Sequence, residues 1–299
     1  MKRFVLLLLV GFTLSLPAQN WMESMEIATR LARGQNKLVL MVWQEASEYP
    51  LSVIVENDQG KDIYIRNIFD SPELTKLLWT YFVLVKVDDI FYGDMLKEIK
   101  GKRSLNYISS FDDDSLKILD ANGNIIGTSG ALVDILNLTK FIEKYNLDTE
   151  YLKQELLNYF NKKDFYSTFY LASKYVEYSI LVNENVRPEI LKLADIYFDE
   201  TEAFLTTDTT LKDKQSLKQR LLLTRLKEDL IKGRPKKVLR QLKKIKEEEL
   251  LKANLSLKIF LSYTAYKLLG ETENFTALEK KVSLLNKKLA QQIVNINRK

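Results

Sequence analysis

The apolar positions of this chain follow two regimes that change near residue 146. Before it, short uninterrupted apolar runs alternate with stretches of helical spacing; after it, every segment has the helical period. Trp21, Met25, Ile27, Ala28, Leu31 and Ala32 recur at helical spacing, and Gly34 is the expected stop. Leu38 to Trp43 (LVLMVW) has no polar interruption, which predicts a strand covered on both faces. Val53 to Val55 and Ile63 to Ile65 flank a polar Asn57-Asp58-Gln59-Gly60 turn, the pattern of a hairpin. Asp70-Ser71-Pro72-Glu73 opens a helix with a capping residue and an early proline, striped by Leu74, Leu77, Leu78 and Tyr81. Phe82 to Asp88 predicts the next buried strand and Tyr92 to Lys100 a short helix. Residues 115–127 predict a second hairpin turning on Asn122-Gly123, and Ala131 to Tyr145 an amphipathic helix.

That order implies α/β layers over a mixed sheet with flanking helices in residues 19–146. From 147 to 299 the pattern is all-α. Helices are expected over Tyr151–Phe160, Phe165–Val182, Pro188–Phe204, Leu211–Ile231, Pro235–Leu250, Leu251–Leu269 and Phe275–Ile296. The phrases LNYFNKKDFYSTFYLASKYV and YKLLGETENFTALEKKV share a layout of aromatic helix end, polar turn, aromatic and second helix. In this the segment resembles tetratricopeptide-type helical hairpins, with an irregular helical bundle as the alternative.

The composition narrows the chemistry. Apolar residues at 46% and charged residues at 28% describe a globular chain. Cysteine and histidine are both absent, which excludes disulfides, thiol redox cycling, a Ser-His-Asp triad and zinc sites of the usual ligands. Residues 1–18 carry Lys2 and Arg3, then an apolar run from Phe4 to Leu16, then Ala18 before Gln19. That is the layout of a signal peptide, so an exported, periplasmic or secreted protein is expected; an uncleaved anchor is the competing reading. Charge is divided unevenly. Residues 211–299 hold 23 Lys plus Arg against 9 Asp plus Glu, and residues 1–210 hold 22 against 31, which suggests two units that attract each other.

Three pieces of the first unit, NKLVLMVW, FDSPELTKLLWTYFVLVKVD and LKILDANGNIIGTSG, resemble the thioredoxin-like superfamily, in particular its exported members. The resemblance spans Trp21 to Tyr145 and implies a strand before the active site, the helix and strand after it, and a final hairpin with a D-x-x-G turn. Registered on Trp43, it places Ser47-Glu48-Tyr49-Pro50 over the Cys-x-x-Cys positions, and Asp112-Asp113-Asp114-Ser115 where the family has its cis-proline. A serine hydroxyl cannot form a mixed disulfide, so redox activity is excluded.

What remains is binding. Ser47, Glu48, Tyr49, Pro50, Asp112, Asp113 and Asp114 are the expected contact face for a protein or peptide partner, with Trp43, Phe91, Tyr92 and Phe111 nearby and Tyr49 and Tyr92 as exposed anchors. No catalytic residue, cofactor or metal is assigned. A hard-cation site at Asp112 to Asp114 with Asp120 competes with a plain solvated loop. Arg234, Lys236, Lys237, Arg240, Lys243 and Lys244 form a basic surface on a helix striped by Val238, Leu239, Leu242 and Ile245. It suits an acidic partner or an anionic membrane surface, not nucleic acid. The competing functions are a carboxylate-dependent enzyme built on Glu48 and the three aspartates, and a structural subunit of an envelope complex.

Overall fold

A computed structural model describes residues 20–57, 59–131, 133–246 and 250–298. The expected signal peptide lies outside them, as do Asp58 of the first hairpin turn, Leu132 and Glu247 to Glu249.

Helix α1 (Met25–Gln35) is capped by Ser24, whose hydroxyl accepts from the Ile27 N–H at 3.3 Å. It runs through Gly34 and stops at Asn36, which takes a left-handed conformation (φ 56°) and returns its N–H to Ala32. Asparagine tolerates that geometry and glycine at 34 is not needed for it. Trp21 and Met22 precede the helix. Strand β1 (Leu38–Trp43) is almost wholly buried. Then come β2 (Ser52–Glu56), β3 (Asp62–Ile65), α2 (Pro72–Tyr81), β4 (Phe82–Val87), α3 (Asp89–Ile99), α4 (Leu105–Phe111), β5 (Lys117–Leu119), β6 (Ile125–Thr128), β7 (Ile135–Asn137) and α5 (Leu138–Tyr145).

The strands form two sheets. The first is mixed, in the order β4-β1-β5-β6, with β4 parallel and β5 antiparallel to β1. The second runs β3-β2-β7, with β7 parallel to β2 (Ser52 opposite Ile135, Ile54 opposite Asn137). The helix expected over 131–145 therefore begins only at Leu138. The Asn137 side chain accepts from the Lys140 N–H, and the three residues through Asn137 are held extended along the edge of β2.

Beyond residue 146 the chain is helical: α6 (Lys153–Asn161), α7 (Phe165–Leu181), α8 (Arg187–Thr207), α9 (Lys214–Ile231), α10 (Pro235–Leu242), α11 (Leu255–Leu269), α12 (Thr272–Glu279) and α13 (Leu284–Ile296). The span expected as one helix over Phe275–Ile296 breaks in two, because Ser283 caps α13 by accepting from the Asn286 N–H. From α7 onward the helices run 17, 21, 18, 8, 15, 8 and 13 residues, unequal lengths that suit an irregular bundle. The bundle joins the α/β unit where α8 packs on β6 and α6 on α1.

Candidate functional sites at the strand ends and the junction

A single turn of tight helix, Glu45–Glu48, follows β1 and holds Ser47, the first of the two positions where the resemblance places cysteines; Pro50, the second, lies beyond it. Ser47 is half-buried and its hydroxyl donates to the Gln44 carbonyl at 2.7 Å. Ser47, Glu48 and Pro50 line an open groove of about 680 Å³ with Arg66, Asn67 and Asp70. Tyr49 is 74% exposed, as expected of an anchor. Tyr92 is not: α3 slots it between Trp43 and Phe111, with ring centroids 5.1 and 4.6 Å away and both pairs stacked. Its hydroxyl donates to the Phe111 carbonyl, and burial pushes that hydroxyl well above the usual tyrosine range.

The three aspartates have separate fates. Asp112 and Asp114 are exposed. Asp113 is structural: one carboxylate oxygen accepts from the Ser115 N–H at 2.9 Å, from the Ser115 hydroxyl, and from Lys117 Nζ at 3.1 Å. Lys117 is fully buried and also donates to the Ser115 carbonyl at 2.8 Å. A different acid, Glu45, marks this face. A hydrogen bond to Asp89 and the charges of Asp89, Glu48 and Asp114 raise its carboxyl above the usual range. Trp43 Nε1 donates to the same Asp89 at 2.5 Å. Asp120, expected as a fourth member of a cation site, points away into the core.

The helix expected over Pro235–Leu250 ends at Leu242, so Lys243, Lys244 and Ile245 lie in the turn beyond α10; Val238 and Leu242 are buried as the stripe predicts. Lys237 and Arg234 approach Asp229 at 2.9 and 3.8 Å. Lys236, Arg240, Lys243 and Lys244 are exposed and have no ion pair among the described residues. The helix packs on α9 and α11 of the bundle. Across the charge division at residue 210 the ion pairs run in the expected sense, Arg225 meeting Asp199 at 2.6 Å and Lys227 meeting Glu177 at 2.9 Å; at the junction of the α/β unit with the bundle, Arg103 meets Glu200 at 2.9 Å and Lys144 meets Glu189 at 2.7 Å.

The junction itself is organised by the second hairpin. Asp120 has no exposed surface. It accepts from the backbone N–H groups of Asn122 and Asn124, both at 2.9 Å, from the Tyr175 hydroxyl at 3.1 Å, and from the Tyr197 hydroxyl. Tyr197 accepts in turn from the side-chain amides of Asn122 and Asn124 at 3.0 and 3.1 Å. Burial pushes the Asp120 carboxyl up, and these donors pull it back. Arg33 ties the same turn to α1, donating to the Ala121 carbonyl at 2.6 Å while its guanidinium stacks on Phe160 of α6 at 3.9 Å.

Beside this network opens a cleft of about 660 Å³. Met25 and Thr29 of α1 form one side, Met95 and Ile99 of α3 another, and Ala203 and Phe204 of α8 the third. Arg103, Asn124, Tyr159, Lys163 and Glu200 lie at its polar end. None of these was singled out in the sequence. The available signal was DANGN, which reads locally as a turn; its tyrosine partners lie 55 and 77 residues further on.

Glu48, Asp112 and Asp114 are solvated, and Asp113 is consumed by Lys117, so the carboxylates of the strand-end face make no buried acid–base pair. Among the described residues no three carboxylates converge at metal-binding separation, and no helix is long and apolar enough to cross a membrane. Comparison with protein-family models, with curated proteins and with solved structures finds no match to this chain.

Proposed function

We propose that the chain is an exported, redox-inactive thioredoxin-like protein that holds an extended peptide segment without covalent chemistry, in the cleft between its two units. The thioredoxin-like assignment is supported by the order of the pieces: a buried strand β1, then α2 and a parallel β4, then the β5–β6 hairpin on the other side of β1. The absence of cysteine leaves non-covalent binding as the use of such a unit. One observation carries the choice of site. Asp120 is locked to Tyr175 and Tyr197, so walls contributed by both units are fixed relative to each other, and the cleft is pre-formed.

The test is affinity selection of a random peptide library on the whole chain, beside the variant Ala203→Arg. Ala203 is an exposed position on α8, so the long side chain fills the cleft without entering the core. Retained peptides should lose at least tenfold in affinity for the variant. Equal retention by both proteins, or no retention by either, would overturn the cleft as the binding site.

A second reading keeps the partner on the strand-end face at Ser47, Glu48, Tyr49 and Pro50. It is favoured by the exposed Tyr49 ring beside the open groove of Ser47, Glu48 and Pro50, with Glu45, Glu48, Asp89 and Asp114 close enough to crowd like charges that a partner's cation would relieve. Glu48→Gln with Tyr49→Ala would weaken capture of such a partner and leave Ala203→Arg without effect. The basic surface of α10 remains open to an acidic partner or an anionic membrane in either reading.

A further inference from the structure

The polar end of the junction cleft carries more positive charge than its own carboxylate balances. Glu200 receives Arg103 at 2.9 Å, Lys163 at 3.0 Å and the Tyr159 hydroxyl at 2.7 Å, so one acid faces two cations. Burial works to raise its carboxyl, but Lys163 and the three hydrogen bonds outweigh that and hold it below the usual range. The side chains of Arg103 and Glu200 are only 14% and 16% exposed, so solvent screens this surplus weakly. The guanidinium nitrogen of Arg103 that meets Glu200 also donates to the Asn124 side-chain oxygen at 3.2 Å, and its Nε is buried without a partner. Elsewhere around the cleft, Glu26 and Asp199 are satisfied by their own neighbours, Arg30 at 3.2 Å and Arg225 at 2.6 Å, and the exposed Glu98 and Lys102 carry opposite charges. Asp120 behind the wall has its oxygens occupied by four neutral donors, and its charge is faced by Arg33. The apolar wall of Met95, Ile99 and Phe204 begins beside this charged end.

We infer that the cleft reads a carboxylate on an apolar stem, namely the free carboxy terminus of a peptide with apolar final residues. Arg103 and Lys163 take the terminal carboxylate in charge-assisted hydrogen bonds, and Met95, Ile99 and Phe204 cover the side chains that precede it. The cleft volume lies in the range of small-ligand sites, enough for a chain end but not for a folded partner. This inference rests on the cleft reading above and adds the group that is recognised.

The experiment offers the whole chain two peptide pools of the same random sequences, one with free carboxy termini and one with terminal amides. The free-acid pool should be retained at least tenfold better than the amides. Lys163→Gln, at a half-exposed position, should remove most of that preference while the circular dichroism spectrum at the assay temperature stays that of the folded chain; Arg103→Lys should weaken it as well. Equal retention of both pools, with both blocked by Ala203→Arg, would overturn carboxylate recognition and leave the cleft reading standing. Retention of neither pool would overturn both. Dodecanoate serves as a third probe. Displacement of the bound free-acid pool by dodecanoate is expected, whereas dodecanoate binding with no peptide retained would overturn the peptide as the source of the carboxylate.

Discussion

The hydroxyl of Tyr197, midway along α8, donates its hydrogen to the buried carboxylate of Asp120 in the turn of the β5–β6 hairpin. This bond crosses from the helical bundle to the α/β unit, and the two units share one buried polar network through it. Asp120→Ala should cost about 3–5 kcal/mol, because it strands two buried tyrosine hydroxyls and two backbone N–H groups. Tyr197→Phe, which leaves three of the four donors, should cost about 1–2 kcal/mol. Denaturant unfolding of the two variants gives both numbers. A cost below 1 kcal/mol for Asp120→Ala would contradict a role for the network in joining the units.

Gly127 in β6 is required by a close approach. A Cβ there would meet the Tyr145 hydroxyl oxygen at 2.1 Å, that ring's Cζ at 2.7 Å and a Glu189 carboxylate oxygen at 2.9 Å. Gly127→Ala should therefore destabilise the chain by about 1–3 kcal/mol, the usual cost of overpacking. Adding Tyr145→Phe should recover only part of the loss, since the ring carbon remains in the way. Thermal melts of the single and double variants would show it.

Between α8 and α9, Glu228 lies 3% exposed near Asp195, with Lys232 at 2.9 Å from one of its oxygens and the other oxygen buried without a partner. Burial and the charge of Asp195 push the Glu228 carboxyl up to about 7. Asp195 is raised as well, by burial first, against the pull of Lys232 and Arg225. In the unfolded chain a glutamate releases its proton near pH 4.5, so from there to about 7 the native state binds a proton that the unfolded state has lost. Stability should fall as pH rises through that window, by roughly 3–4 kcal/mol at the limit of 1.36 kcal/mol per unit. The chain has no histidine to mask the effect. Glu228→Gln should flatten the profile and be the more stable protein at pH 7.5; an unchanged slope between pH 5 and 7 would refute the assignment.

Lys117 holds the acidic loop from below. Replacing it with Met keeps the apolar stem but leaves the Asp113 carboxylate and the Ser115 carbonyl without their cation. A loss of about 2–4 kcal/mol is expected, accompanied by a change in Trp43 fluorescence if the stack through Tyr92 and Phe111 shifts. Lys117→Met with Asp113→Asn should be less unstable than Lys117→Met alone.

Much of this architecture could be read from the sequence. LVLMVW, FVLVKVD and the Asn122-Gly123 turn produced the strands and hairpin expected of them, because uninterrupted apolar runs and a left-handed turn residue are local signals. The strand at Ile135–Asn137 was hidden inside a helical pattern, since its pairing with β2 depends on residues eighty positions earlier. Tyr92 read as exposed among polar neighbours, and its burial follows from where α3 lies on Trp43. The candidate site shared this limit. Ser47, Glu48 and Tyr49 stand at the end of β1 as the register implied, whereas Arg103, Lys163 and Glu200 meet only after the bundle folds back on the hairpin.

The short passage before α1 has a use that its sequence does not advertise. Met22 donates its N–H to the Leu84 carbonyl at 2.9 Å and accepts from the Lys86 N–H at 2.8 Å, lying parallel to β4 at the outer margin of the four-stranded sheet. Trp21 packs edge-on against Phe69 beside it. An open strand margin is a template on which other chains can polymerise. Met22 acts as a selvedge over this stretch of β4, so trimming the chain past it would bare the Leu84 carbonyl and the Lys86 N–H to pairing with another chain.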